Sequence, residues 1–365
     1  MSNGFSYTFP AIRGIQASRE YYASMCPLRL IPRIFLFDEE ELSPELRAQR
    51  VLNRARIPAI SSYLLDNPTE YVLSALTASI DGDVDFVPAS TEPAHYNVGW
   101  LRVPMEAKFV INDGQHRRAA IETALKEKPE LGDETIAIVF FVDTGLRRSQ
   151  QMFADLNRYA VRSTQSLSIL YDYRDPVSQM VRDIVRRVPA FNGLTEMEKS
   201  TISNRSTKLF TLSGIYRATV ELLEDSRGRL DQKALTKLAV DFWNQVAVNI
   251  TEWAQVKDKL VSASELRKDY LIAHTVTLVA LGRAGRTTLS EFPEEWHQLL
   301  CRLRPVNWHR QNTRQWEGRA MVGGHITNSR SSVVLLTNEI KRILGLPLSR
   351  EEQAAETAFI AAQGA

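Results

Sequence analysis

Residues 108–125 have the sequence KFVINDGQHRRAAIETAL, and this stretch decides the fold of the first part of the chain. An apolar, β-branched run at Lys108–Ile111 leads into the dipeptide Asp113-Gly114, which favours a tight turn. Small and apolar residues then recur at helical spacing. The stretch therefore predicts a strand, a turn and a helix that begins near Gln115.

Polar side chains cluster where this predicted helix begins. Backbone N–H groups and the positive end of the helix dipole favour an anion there, and Gly114 lets the anion approach without a Cβ in the way. Arg117 and Arg118 add forked donors that suit phosphate. The predicted phosphate site consists of Asp113, Gly114, Gln115, His116, Arg117 and Arg118.

The roles of two of these residues stay open on sequence grounds. Asp113 could cap the helix or hold a cation, and His116 could donate a hydrogen bond or transfer a proton. The plain alternative is an Asp-Gly turn, a solvated first helical turn and a surface histidine, because a strand, turn and helix with a few polar residues are common.

The composition is that of a globular protein without a strong overall charge. Its 365 residues are 44% hydrophobic and 24% charged, which is enough to bury a full core. A formal net charge of +2 excludes a positive field over the whole molecule, so any nucleic-acid surface must be local.

The cysteine content indicates a reducing compartment, and the hydropathy gives no indication of a membrane span. Cys26 and Cys301 lie far apart without partners at metal-ligand spacing, which excludes a disulfide framework and gives no indication of a metal site. The sequence has no signal-peptide pattern and no apolar run of membrane length. We therefore expect a cytoplasmic protein without membrane contact.

The hydrophobic pattern changes along the chain, which predicts an α+β fold. Runs at 28–37, 108–111 and 135–142 are typical of strands in a small mixed sheet, and Pro32 confines the first run to an edge or an interrupted strand. Between the first two runs, residues 44–76 have the spacing of short helices.

Beyond the predicted sheet, apolar residues recur every three to four positions from Ser149 to about Leu300, which predicts a mainly helical domain. Ser262 and Glu265 have the spacing of a capping box. We expect three parts, at 1–160, 161–300 and 301–365, the last a basic segment with closing helices.

Two motifs resemble conserved boxes of known families. Asp113–Arg117 spells DGQHR, the motif that names the DGQHR-domain family, and is similar to the phosphate-contacting box of the ParB/sulfiredoxin-like superfamily. Phe153–Arg158, FADLNR, looks like the second box of that superfamily. Flanking runs extend the resemblance to the DndB family of DNA sulfur modification proteins, and they include residues 9–16, 25–30, 53–57 and 75–80.

The resemblance implies a fold, a role and a ligand. It implies a ParB-like N-terminal domain in a bacterial protein of the DNA phosphorothioation system, which replaces a phosphate oxygen of DNA with sulfur. The family role is that of a DNA-binding transcriptional regulator, a repressor of the modification operon. Its partners would be double-stranded DNA, other proteins of the system and a second copy of the chain. The nucleotide site would also include Asn157 and Arg158.

The same boxes are compatible with other functions. In an enzyme, Asp113, His116, Arg117 and Asn157 would hydrolyse a nucleotide or nick DNA with Mg²⁺. Few acidic ligands lie near the boxes, which favours binding over two-metal catalysis. A third alternative is a scaffold for the modification enzymes, which would need no intact phosphate site.

A basic segment at residues 302–330 is the preferred DNA surface. It contains six arginines against the single acid Glu317, interleaved with amides and indoles that can pair with or stack on bases. The predicted DNA contacts are Arg302, Arg304, Asn307, Trp308, Arg310, Gln311, Arg314 and Arg319, with Arg147, Arg148 and Arg162 as a second cluster. The alternative is that Trp308 and Trp316 anchor the segment in a core.

Cys26 lies in an apolar run, which is typical of a small buried side chain. A redox role is the alternative. It would require a lowered thiol pKa, and Arg29 is the only basic neighbour in the sequence that could lower it.

Overall fold

The computed structural model describes residues 5–35, 54–146, 148–158 and 163–363. The chain divides into two compact units, Met1–Val161 and Arg162–Ala365. No helix within the described ranges is long and apolar enough to cross a membrane.

In the described part of the first unit, seven strands form one mixed sheet. Their bounds are β1 Ser6–Gln16, β2 Arg19–Pro27, β3 Leu76–Asp81, β4 Asp85–Pro88, β5 Val98–Pro104, β6 Lys108–Asp113 and β7 Thr135–Val142. The strand order is β4-β5-β1-β2-β7-β3-β6. Neighbouring strands are antiparallel except β3 and β7, which pair in parallel.

A two-residue turn joins β1 to β2. Ala17 and Ser18 have φ angles of 51° and 60°, so both lie in the left-handed region, as in a type I′ hairpin turn. The pairing of Gln16 with Arg19 closes the hairpin. Sequence analysis did not predict this hairpin, because Ala-Ser lacks the Asn or Gly that normally marks such a turn.

In the described ranges of this unit, four helices accompany the sheet: α1 Ile31–Ile34, α2 Ile57–Asp66, α3 Gln115–Glu127 and α4 Ser149–Arg158. Helix α3 packs against α1 and α2, while α4 contacts β6. Ile121 and Ala124 of α3 share a core with inward side chains of the sheet such as Leu101 and Phe140.

Of the three predicted strands, those at 108–111 and 135–142 are confirmed as β6 and β7. The one at 28–37 is wrong over residues 28–35, and its last two residues lie outside the described ranges. Leu28–Leu30 forms a 3-10 turn that continues into α1. Pro32 lies in the first turn of α1, where its missing N–H removes no hydrogen bond. The apolar run is explained by burial of a helical turn, which hydrophobicity alone cannot distinguish from a buried strand.

Helices dominate the described part of the second unit. Their bounds are α5 Gln165–Tyr171, α6 Pro176–Arg187, α7 Leu212–Leu223, α8 Gln232–Asn249, α9 Thr251–Lys257, α10 Ala263–Asp269, α11 Thr275–Glu291, α12 Trp296–Leu300, α13 Thr313–Trp316, α14 Arg330–Leu344 and α15 Arg350–Gln363. Two short strand pairs are β8 Thr195–Glu196 with β9 Phe210–Thr211, and β10 Met321–Val322 with β11 His325–Ile326. The predicted α+β fold is confirmed.

Helix packing explains a glycine of this unit, and a side-chain cap starts one of its helices. A Cβ on Gly282 of α11 would lie 2.2 Å from the carbonyl oxygen of Ala218 in α7, so only glycine allows this approach. The predicted cap at Ser262 is confirmed, since its Oγ accepts a hydrogen bond from the Glu265 N–H at 3.0 Å.

Residues 301–365, which the sequence sets apart by charge, share the core of the second unit. Trp308, Trp316 and Leu336 belong to the same buried cluster as side chains of α7, α8 and α11. Helix α14 also packs along α11. The basic segment is therefore built into the helical unit.

Candidate phosphate site and nucleic-acid interface

One glycine separates strand β6 from helix α3, so the predicted strand, turn and helix are confirmed. Gly114 has a φ of +106°, and a Cβ added there would lie 2.4 Å from Leu76 Cδ2. Glycine also has no side chain that could cap the first helical turn. Because Gly114 lacks this cap, the N–H groups at the start of α3, including that of Gln115, suit an anion.

Arg117 is held beside Asp113. Its Nη2 donates to Asp113 Oδ2 at 2.7 Å and to the Ala75 carbonyl at 3.1 Å. Its Nε is buried and has no hydrogen-bond partner among the described residues. One edge of the guanidinium thus binds a carboxylate, and a donor remains for a further acceptor.

His116 lies in a positive environment. Burial lowers the pKa of His116 below its usual value, the charges of Arg56 and Arg117 lower it further, and Asp113 opposes the shift. The imidazole is therefore neutral at neutral pH. Sequence reasoning did not include Arg56 in the site, and its only signal was its place in the family-like run 53–57.

Arg118 fastens α3 to the residues around α1. It is 8% exposed, its Nε donates to the Phe35 carbonyl at 3.0 Å, and its Nη2 donates to the Pro32 carbonyl at 3.4 Å. Its Nη1 donates to Glu122 at 2.5 Å. Since these bonds use the guanidinium inside the fold, we leave Arg118 out of the phosphate site.

The resemblance implies a nucleotide phosphate and Mg²⁺ as ligands, and these two groups fit the site differently. A phosphate fits the donors present, because Gly114 supplies no side-chain cap for the first turn of α3 and Arg117 Nε lacks an acceptor among the described residues. Mg²⁺ does not fit, because the Asp113 carboxylate is bound to Arg117. In addition, the residues that the structure describes contain no group of three or more His, Cys, Asp or Glu side chains that could hold a metal ion.

The helix that carries the second box begins beside the strand that leads into the first box. Ser149, the first residue of α4, donates to the buried Asn112, the residue before Asp113, at 2.7 Å. Asn157 and Arg158 lie in the last turn of the same helix, about 12 Å along its axis from Ser149. Their place in the nucleotide site stays a prediction.

The second predicted DNA cluster is only partly described. The backbone N–H of Arg148 donates to the buried Asp143 carboxylate at 2.9 and 3.2 Å, which anchors the segment that leads into α4. Arg147 and Arg162 lie outside the described residues.

The two tryptophans of the basic segment are buried, so the predicted contact of Trp308 with DNA is wrong. Trp308 and Trp316 are 1% and 0% exposed, and their rings stack with centroids 5.3 Å apart. Trp316 Nε1 donates to the Asn307 carbonyl at 2.9 Å. The indoles therefore anchor the segment in the core, and neither can stack on a base.

Three arginines of the segment make intramolecular bonds. Arg319 is 7% exposed and bound to Glu356 and the Leu335 carbonyl, so its predicted contact with DNA is wrong. Arg302 donates to the Leu344 carbonyl at 2.5 Å, at the end of α14. Arg310 donates to the carbonyls of Lys268 and Gly324.

The remaining predicted contacts lie on the surface. Arg304, Gln311 and Arg314 are exposed, and their side chains form no hydrogen bond or ion pair with any described residue. Asn307 is also exposed, although its Oδ1 accepts from the His309 N–H at 3.1 Å. These four side chains can still reach phosphates or base edges.

Cys26 is completely buried on β2, and burial raises the pKa of its thiol to about 12. A buried thiol with a raised pKa is not a thiolate at neutral pH and does not react readily. The redox alternative for Cys26 is therefore wrong, and the residue is part of the core.

Comparisons with known proteins identify the family of the chain. No curated protein and no solved structure matches it. A family model described as "DndB: DNA-sulfur modification-associated" matches residues 9–347, which include both boxes and most of the helical unit. The chain therefore belongs to the DndB family and is involved in DNA sulfur modification.

Proposed function

We propose that this protein is a cytoplasmic, DNA-binding transcriptional repressor of a DNA phosphorothioation operon. The family places it in a DNA modification system. The observation that supports direct DNA binding is a group of three exposed polar side chains within residues 304–314. There, Arg304, Gln311 and Arg314 are exposed without intramolecular partners in the described chain.

The chemistry of this surface suits duplex DNA. Two guanidinium groups can neutralise phosphates, while the amides of Asn307 and Gln311 can pair with base edges. The buried pair of Trp308 and Trp316 fixes the backbone below them, so little ordering is required on binding.

Binding is a better interpretation of the DGQHR box than catalysis. For Asp113 to hold Mg²⁺ or activate water, it would have to leave Arg117, which it contacts at 2.7 Å. We infer that the box binds a phosphate-bearing ligand, and that this ligand modulates the repressor.

Fluorescence anisotropy would test the proposed function. The full chain would be titrated against a labelled duplex from its own operon promoter and against a scrambled duplex of equal composition. We expect tighter binding to the promoter duplex, and we expect a promoter-driven reporter to be repressed when the protein is present. Equal affinity for both duplexes with no effect on the reporter would contradict the proposal.

A further inference from the structure

We infer that a second basic surface of the helical unit contacts the phosphates of duplex DNA. We name it the Arg267 platform, and it consists of residues 199–208, Arg267, Lys268 and Arg310. The inference rests on the proposed DNA binding and assigns a site that extends beyond the 302–330 segment.

The loop at residues 199–208, KSTISNRSTK, contains three cations and no acid. Arg267 of α10 holds this loop, because its guanidinium donates to the carbonyls of Ser203, Asn204, Ser206 and Lys208. At the other end of the loop, Ser166 donates to the Lys199 carbonyl at 3.0 Å. The loop is thus fixed at both ends, and its exposed cations need little ordering on binding.

The end of α10 joins this loop to the basic segment. Arg310 Nη1 donates to the Lys268 carbonyl at 2.7 Å, and the Arg310 N–H donates to the Asp269 carbonyl at 2.9 Å. The Leu271 N–H donates to the Trp308 carbonyl at 3.0 Å. These bonds tie Arg310 to the end of α10, the same helix whose Arg267 side chain binds the loop.

The platform has a net positive charge. Its six cations outnumber four nearby acids, which are Glu196, Glu198, Glu265 and Asp269. His274 is kept neutral by burial and by the charges of Arg310 and Arg267. Arg205 and Lys268 are exposed, and their side chains have no hydrogen bond or ion pair within the described ranges.

This combination matches the backbone of a nucleic acid. Regularly charged phosphates are bound by lysine and arginine together with hydroxyl and amide groups, and such contacts carry no sequence information. The serines and asparagine of the loop supply those neutral groups. The platform would therefore contribute affinity and orientation, while the amides at 307 and 311 contribute sequence preference.

A salt titration of DNA binding tests the platform with the full chain. In Arg205→Gln/Lys268→Gln, we expect the slope of log affinity against log salt to flatten by about 1.8, which at 0.1 M salt weakens binding by roughly tenfold per lost contact. The matched control is Arg217→Gln/Lys233→Gln, which removes two exposed cations elsewhere in the same unit and should keep the parent slope.

A second variant separates the loop's geometry from its charge. Arg267→Lys keeps the positive charge but cannot donate to four carbonyls, so amide hydrogen exchange in 199–208 should speed up and the slope should fall in part. If exchange is unchanged, Arg267 does not position the loop.

The outcomes distinguish the platform from the proposed function. If Arg205→Gln/Lys268→Gln keeps the parent slope while Arg304→Gln/Arg314→Gln flattens it, the platform is wrong and DNA binding stands. If the parent chain binds no duplex at low salt, both are wrong. Lost repression with an unchanged slope would assign the platform to an acidic protein partner and overturn the inference.

Discussion

Asn112, the residue before the DGQHR box, and Ser149, the first residue of the helix that carries the second box, are joined by one buried hydrogen bond. Ser149 Oγ donates to Asn112 Oδ1 at 2.7 Å, and Asn112 Nδ2 donates to Ser79 Oγ at 2.8 Å. All three side chains are fully buried. The strand that ends in the DGQHR box therefore fixes the start of the helix that carries the second box.

Replacing Ser149 should destabilise the first unit. Ser149→Ala leaves the amide oxygen of Asn112 buried without this donor, so we expect the free energy of unfolding to fall by about 1–3 kcal/mol. Chemical denaturation measures the change. Ser74→Ala, at an exposed position, is the control and should have little effect. Equal stability of both variants would show that the bond does not tie α4 to the sheet.

Arg117 should contribute to phosphate affinity at the N-terminal end of α3. Arg117→Ala removes the guanidinium, whose Nε has no hydrogen-bond partner among the described residues. Nucleotide binding should therefore weaken by about 1.5–3 kcal/mol, as expected for the loss of a charge-assisted hydrogen bond. Calorimetry with ATP measures this, and Lys126→Ala, an exposed cation on the same helix, is the control. Unchanged affinity, or no binding at millimolar ATP, would remove the phosphate site.

Local rules predicted the parts of the fold that local interactions decide. The turn at Gly114 and the cap at Ser262 follow from the residues themselves, and both are confirmed. The strand predicted at 28–37 was wrong and the hairpin turn at Ala17 was missed, because tertiary packing overrides local preference there. In both cases the sequence lacks a residue that would identify the backbone conformation.

The site was harder to predict, because the partners of its arginines are distant in sequence. Arg319 is bound by Glu356, which lies 37 residues away, and Arg118 by the Phe35 carbonyl, 83 residues away. A positive segment in the sequence does not show which of its charges will be buried in ion pairs. Arg267 was missed for the same reason, since its four acceptors are backbone carbonyls at 203–208.

Acid should destabilise the helical unit through His274. Burial lowers the pKa of His274, the charges of Arg310 and Arg267 lower it further, and the bond to the Arg267 carbonyl opposes the shift. A lowered pKa means that the unfolded chain takes up the proton first. The stability is therefore fully present above the unfolded value of about 6.5 and is lost as pH falls through the folded pKa.

The measurement for His274 is the free energy of unfolding at pH 7.5 and pH 5. His274→Gln keeps an amide that can donate to the Arg267 carbonyl but does not titrate, so its stability should fall less over this interval. Comparison with His116→Gln separates the two histidines, since both have lowered pKa values. A parent and a His274→Gln variant with the same pH dependence would contradict the assignment.

Trp308 and Arg314 lie six residues apart in the basic segment, but replacing them should affect different properties. Trp308 should affect the free energy of unfolding, and Arg314 should affect DNA binding. Trp308→Ala empties a fully buried site and should lower the free energy of unfolding by about 3–5 kcal/mol. Trp308→Phe keeps most of the volume, and the indole N–H it removes has no hydrogen-bond partner in the described structure, so the cost should be only about 1 kcal/mol. The folded Phe variant should keep the parent affinity for DNA, because a buried ring does not stack on bases.

Arg304→Gln/Arg314→Gln should instead leave the free energy of unfolding unchanged and flatten the salt slope of DNA binding by about 1.8, since both side chains are exposed and form no bond with any described residue. Thermal unfolding and anisotropy on the same preparations decide the matter: a Trp308→Phe protein that is folded but has lost DNA affinity would mean that this indole becomes accessible when DNA binds.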